Sequence, residues 1–201
     1  VEINQPADKV ILNGLIVTMD RQQTVLLEGA IAIVGPNIVA VGSSAAIEAQ
    51  FLGPATEIID AGGQLVMPGL INAHTHAADS LFRGLVDDLA LEPWLERLWL
   101  AERKFIRPDT VRLGAQLAQA EMIRGGTTTA LDMFWYPEVG AQVATEIGFR
   151  LMTGPVYFDF AEPDNIPVAQ RTARGREFLQ QYQGHPLIVP CVTPHSTYTV
   201  S

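Results

Sequence analysis

From Leu65 to Pro194 short apolar runs alternate with helical stretches, and that alternation restricts the fold more than any other property of the chain. Leu65–His76 reads as a buried strand, Ser80–Phe105 as irregular chain followed by helix, and Pro108–Arg124 as a second helix stopped by Gly125-Gly126. Thr127–Met133, Arg150–Phe158 and Leu187–Pro194 read as further strands, with helices over Glu138–Ile147 and Val168–Tyr182. Parallel neighbours need crossover connections, so strands separated by helices predict a parallel sheet of the α/β class. Four such units fit half of a TIM-like (β/α) barrel; a doubly wound open sheet is the competing arrangement.

The first 65 residues have a different style. Val10–Leu12, Leu15–Met19, Ala30–Val34 and Ile38–Val41 are β-like runs, separated by turn signals at Asn13-Gly14, Asp20-Arg21 and Gly35-Pro36-Asn37. With a short helix over Ser43–Gln50 and a strand at Glu57–Asp60, they predict a small antiparallel β-domain over 1–65, ahead of βα units over 66–201.

The 201 residues are 48% hydrophobic and 17% charged, which is the balance of a chain that buries a core. A net charge of −9 argues against nucleic acid and against an anionic membrane surface, because both need a basic face. No apolar run approaches the roughly 20 residues that span a bilayer, and residues 1–20 lack a basic stretch followed by an apolar core. Cys191 is the only cysteine, which excludes an intrachain disulfide and fits a reducing, cytoplasmic setting. Its apolar neighbours, Ile188 to Val192, suggest a buried structural thiol.

Met67-Pro-Gly-Leu-Ile-Asn-Ala-His-Thr-His76 carries the chemistry. Side chains alternate across a strand, so His74 and His76 are expected on the same face, with Leu70 and Asn72 beneath them. Two imidazoles converging at a strand end are half of a metal site; the competing reading is two polar loop residues satisfied by hydrogen bonds. Zinc is the default ion, with iron, manganese, nickel or cobalt compatible, because two histidines select weakly among them. Asn72 is expected to pack and hydrogen-bond rather than ligate.

Leu65–His76, Ser80–Leu89 (Ser-Leu-Phe-Arg-Gly-Leu-Val-Asp-Asp-Leu), Ala120–Thr129 (Ala-Glu-Met-Ile-Arg-Gly-Gly-Thr-Thr-Thr) and Pro194–Thr199 (Pro-His-Ser-Thr-Tyr-Thr) together resemble the amidohydrolase superfamily. Within it they are similar to the branch holding methylthioadenosine/S-adenosylhomocysteine deaminases and triazine chlorohydrolases. The resemblance covers essentially the whole chain. It implies a (β/α) barrel preceded by part of a small β-sandwich domain, residues 1–65 being the N-terminal share of that sandwich. It also implies that a third histidine, an Asp ligand and the proton-shuttling Glu and His lie beyond the fourth strand, so this sequence is expected to be the N-terminal portion of a longer enzyme.

The activity implied is hydrolytic deamination of an aminated heterocycle, most of all an S-adenosylhomocysteine or methylthioadenosine-type nucleoside. One divalent ion would lower the pKa of its water from about 15.7 to about 7 and so supply hydroxide. The fourth strand has no lysine for a second metal, which supports a one-metal site. The matching residues give substrate contact to His195, at the heterocycle, and to Glu102, at a ribose diol. Their alternatives are a histidine holding loop backbone and an exposed helical carboxylate beside Arg103 and Lys104. The family also places arginines after the third strand to meet the substrate tail, and Arg171, Arg174 and Arg176 fall in that neighbourhood. Arg83, Asp87 and Asp88 read as loop-shaping or interface residues, Asp132 as structural support, and His185 as part of a surface turn. Triazine chlorohydrolase or aminohydrolase, and guanine or pterin deaminase, remain alternatives, as does a non-catalytic scaffold. The resemblance also implies a homo-oligomer at full length.

Overall fold

Asn13-Gly14 does not turn the chain; it bulges a single strand. In the computed structural model, which describes residues 6–160 and 163–201, strand β1 runs Lys9–Val17 without interruption. Its pairing register shifts on either side of Gly14, and Asn13 takes a positive φ of 56°. The chain divides into two units, Val1–Pro68 and Gly69–Ser201.

The first unit adds β2 (Val25–Val34), β3 (Asn37–Ser43), helix α1 (Ser44–Phe51), β4 (Glu57–Asp60) and β5 (Leu65–Val66). Gly35, at φ 54°, closes the expected β2–β3 hairpin, and the Ser43 hydroxyl caps α1 by accepting from the Ala46 amide. The sheet order is β3-β2-β1-β4, with β5 also on β1. The sheet is mixed, not antiparallel as predicted: β4 and β5 both run parallel to β1. The helix α1 supplies the crossover that returns the chain in the same direction. Val10, Leu12, Ala30 and Ala32 pack on Ile47 and Phe51 of α1 to form this unit's core.

The predicted strand Leu65–His76 is two strands. Pro68 has no amide to continue a ladder, so β5 ends at Val66 and a new strand, β6 (Leu70–Thr75), begins in the second unit. Gly69 permits the close start of β6, since a Cβ there would lie 2.2 Å from Thr128 Cγ2. Nor is β6 buried: it forms an edge of its sheet, and Ile71 is 72% exposed. A 3-10 turn (Ala77–Phe82), α2 (Leu91–Phe105), α3 (Pro108–Arg124), β7 (Thr127–Asp132) and α4 (Pro137–Ile147) follow.

The third and fourth predicted strands are each divided as well. They become β8 (Arg150–Thr153) and β9 (Val156–Tyr157), then, after α5 (Val168–Gln181), β10 (Ile188–Pro190) and β11 (Thr193–Pro194). Gly154-Pro155 makes the first break, and the Cys191 carbonyl comes so near Gly154 that any Cβ would collide with it. The sheet order is β10-β8-β7-β6, all parallel, with β11 and β9 forming a short parallel pair beyond. The strands follow one another without the reversal that defines a doubly wound sheet. Ala130, Leu151 and Ile188 of this sheet pack against Ala141 and Ala144 of α4 and Phe178 of α5. Helix α3 sits directly on the 3-10 turn because Gly114 has no Cβ to meet the Ala78 backbone, 2.6 Å from where one would stand. Among the described residues no helix is long and apolar enough to cross a membrane.

Candidate metal centre and aromatic slot

His74 and His76 lie at the C-terminal end of β6 with ring centroids 5.0 Å apart and planes at 81°. The strand reaches them through an irregularity: Asn72 pairs with Ala130 but Thr75 pairs with Asp132, one residue out of step. The bulge breaks strict alternation, and Asn72 faces α3, its Nδ2 3.7 Å from Met122 Sδ, rather than lying beneath an ion with Leu70. Its Oδ1 accepts from the His74 amide at 3.2 Å.

His76 Nδ1 is 2.7 Å from the Met133 carbonyl. A carbonyl can only accept, so Nδ1 carries the proton and Nε2 presents a bare lone pair, the arrangement in which an imidazole binds a metal. Burial chiefly lowers the His76 pKa, the Met133 bond opposing and His74 adding to the shift. The chain just past His76 is pinned by buried Asp132, whose Oδ1 accepts from the Ala77 amide at 2.8 Å. This donor set fits a divalent ion, but as part of a coordination sphere only. Among the described residues no three His, Cys, Asp or Glu side chains are arranged to hold one.

Beside His76 opens a slot lined by Trp94, Trp99, Trp135, Phe158, Glu102 and His195. Phe158 stacks on Trp135 (5.1 Å, 15°) and on His195 (4.4 Å, 28°), building a wall of three rings. His195 Nδ1 lies 2.9 Å from the Thr199 hydroxyl and 3.2 Å from that of Ser196, which fixes the ring. Burial, then the charges of His76 and His74, lowers its pKa. Glu102 is only 6% exposed, which rules out an exposed helical carboxylate, and its Oε2 accepts from Trp135 Nε1 at 2.9 Å.

Asp79 escaped the sequence reading; nothing marks it beyond its place three residues after His76. Its carboxyl hydrogen-bonds that of Glu102, while its Oδ1 is shielded from solvent without a hydrogen-bond partner. Burial first, and repulsion from Glu102 and Asp132 second, pushes Asp79 up to about 8. Burial likewise raises Glu102, against the bonds from Trp135 and Asp79, and carries Asp132 up to about 7.

These shifts have a measurable sign. The unfolded chain releases the Asp79 and Asp132 protons from 3.8 upward, the folded chain only near 8 and 7. Their contribution to stability is therefore complete below 3.8 and is lost as the pH rises toward about 8. His76 and His195 act the other way, removing stability as the pH falls below 6.5. The melting temperature of chelator-treated protein is expected to fall between about pH 6.5 and 8, and Asp79→Asn to flatten most of that slope. An unchanged slope in the variant would mean that Asp79 ionises normally in the folded protein.

Arg83 and His185 hold loops through their contacts. Arg83 forms a two-bond pair with Glu121 of α3 at 2.6 and 3.1 Å, which ties down the loop after the 3-10 turn. His185 Nδ1 accepts from the Leu187 and Ile188 amides and shapes a turn. Cys191 is half-buried and burial raises its pKa, which disfavours a reactive thiolate.

The site thus joins a histidine pair at the C-terminal end of β6 to a parallel sheet whose strands follow in chain order. The chain belongs to the amidohydrolase family, whose model, described as "Amidohydrolase family", matches residues 65–201. It is 40% identical over 195 residues to 5-methylthioadenosine/S-adenosylhomocysteine deaminase 1 of Syntrophus aciditrophicus, covering 96% of this chain and 44% of that protein. A 5-methylthioadenosine/S-adenosylhomocysteine deaminase of Syntrophobacter fumaroxidans is 42% identical over 196 residues, covering 97% and 44%. The crystal structure of an adenosine deaminase from Xanthomonas campestris with bound zinc superposes with a TM-score of 0.92 at 37% identity, covering 98% of this chain and 45% of that one. A triazine hydrolase from Arthrobacter aurescens shares the fold, with a TM-score of 0.84 at 22% identity over 96% and 47% of the two chains. The chain thus spans a little under half the length of the relatives it matches.

Proposed function

We propose that this chain carries the N-terminal half of the active site of a metal-dependent hydrolytic deaminase acting on a purine nucleoside of the methylthioadenosine or S-adenosylhomocysteine type. The observation that carries the reading is His76, which lines the aromatic slot, is held through Nδ1 by the Met133 carbonyl so that Nε2 stays free, and has the His74 ring 5.0 Å away. In this reading His74 and His76 hold one divalent ion, zinc by analogy with the zinc-bound Xanthomonas adenosine deaminase. The ion, when bound, supplies Lewis-acid activation of water. The remaining ligands and proton carriers come from the part of the relatives' length that this chain does not span. The mixed sheet of the first unit is one layer of a β-sandwich.

The residues of the slot supply binding and orientation. The Trp135–Phe158–His195 wall offers flat faces on which a heterocycle stacks. His195, held through Nδ1, presents Nε2 to a ring nitrogen. Glu102, excluded from water, accepts hydroxyls of the sugar. The relatives named as nucleoside deaminases favour this substrate class over triazines, for which only the fold speaks.

Ammonia release by the zinc-loaded full-length protein tests the reading directly. Turnover of 5′-methylthioadenosine is expected, with zinc near one equivalent per chain. Chloride release from a chlorotriazine with no nucleoside turnover would overturn it in favour of the chlorohydrolase alternative.

A further inference from the structure

Arg171, on α5, is almost wholly buried at 2% exposure and makes four hydrogen bonds. Its Nη1 donates to the Val156 carbonyl and to Asp164 Oδ2, both at 3.0 Å. Nη2 donates to the Phe160 carbonyl at 3.2 Å and to Asp164 Oδ1 at 3.0 Å. The Asp164 side chain is itself 7% exposed, so the pair is a buried, two-bond clamp. Both Nη atoms are thereby committed, Nε is buried without a partner, and Cζ lies 5.6 Å from the Trp135 ring.

The two carbonyls bracket Phe158. That residue has no strand ladder of its own, because β9 ends at Tyr157. Yet its ring is the middle member of the wall, between Trp135 and His195 and 4.6 Å from Phe160. A second seat supports the same segment: α5 comes so close to Tyr157 that a Cβ on Gly175 would lie 2.2 Å from the Tyr157 hydroxyl.

We propose that Arg171 is a positioning residue, which sets the aromatic wall of the slot through the backbone at Val156 and Phe160 and does not bind the substrate's tail. The claim departs from the tail-binding role that the sequence resemblance offers for an arginine in this region. Its ligand arm rests on the nucleoside reading above; its ligand-free arm does not. The Nη atoms could meet a tail carboxylate only by giving up Asp164 and leaving a buried carboxylate unpaired, which is strongly unfavourable, and Nε is sealed from solvent.

All three tryptophans of this chain line the slot, so the difference in emission between a variant and the parent full-length protein reads a change there. The experiment titrates the full-length protein with 5′-methylthioinosine, whose tail is uncharged, and with S-inosylhomocysteine, whose tail ends in a carboxylate and an ammonium. Both lack the exocyclic amine and undergo no deamination. Arg171→Met is expected to weaken both ligands by about tenfold or more, with their ratio kept within about threefold, and to shift the ligand-free emission. Arg171→Lys restores the charge but not the two-bond clamp, so it should recover only part of the loss. Asp164→Asn should weaken both ligands together.

Loss of the carboxylate ligand alone in Arg171→Met, or tighter binding of it by Asp164→Asn, would establish a tail-binding arginine and overturn the proposal. Should Arg171→Met fail to fold, Arg171→Lys and Asp164→Asn carry the same comparison. If the parent protein binds neither ligand, the nucleoside reading fails, and the ligand-free emission still decides the positioning claim. An emission spectrum of Arg171→Lys identical to the parent's would then refute it.

Discussion

Replacing His76 by alanine is expected to abolish zinc retention and, with it, activity. The substitution removes one of two adjacent imidazoles and also the Nδ1 bond to the Met133 carbonyl that orients the ring. Loss of an outer partner alone typically weakens a metal site by about ten- to a hundredfold, so loss of the ligand should exceed that. Zinc added at about a hundred times its dissociation constant should stabilise the parent by about 2.7 kcal/mol, and His76→Ala at the same concentration should gain almost nothing. Calorimetry and elemental analysis of the full-length protein give the two readouts. Retention of a full zinc equivalent by the variant would remove His76 from the coordination sphere.

Glu102→Gln should separate nucleosides from free bases. The buried carboxylate keeps its place through Trp135 Nε1, and an amide oxygen can accept that same bond. The fold should therefore survive while the charge that would bind sugar hydroxyls is lost. Hydrogen bonds to a charged group contribute about 1.5–3 kcal/mol, so kcat/KM for a nucleoside should fall by about ten- to a hundredfold. A heterocycle without the sugar should be turned over at an unchanged, if low, rate. Equal losses on both substrates would place Glu102 in a role other than sugar binding. Trp135 ties the carboxylate to the ring wall, so the tryptophan emission of the variant also shows whether the slot kept its shape.

Parts of the site could be read from sequence because they are local. His74 and His76 are two residues apart at the end of an apolar run, and α3 carries its own stop signal at Gly125-Gly126. The breaks inside the strands were less legible. Pro68 and Gly154-Pro155 carried punctuation, but the apolar residues around them outweighed it, and only the approach of the Cys191 carbonyl explains the second break. Asn13-Gly14 has the composition of a hairpin turn and becomes a bulge because β1 has partners along its whole length.

The sequence by itself determined the alternation of strands and helices, the parallel sheet that follows from it, and the histidine pair at the end of β6. Each depends on residues within one element or on the direction in which an element must return. Only the tertiary structure decided what surrounds those histidines. Glu102 meets Trp135 across 33 residues, Ala77 meets Asp132 across 55, and Arg171 reaches back 15 residues to Val156. Such pairings leave no periodic trace in the chain, because they are set by how helices and loops pack over the strand ends. They bury Glu102, against the exposed alternative, and pair Arg171, one of three arginines offered for the substrate tail, with Asp164.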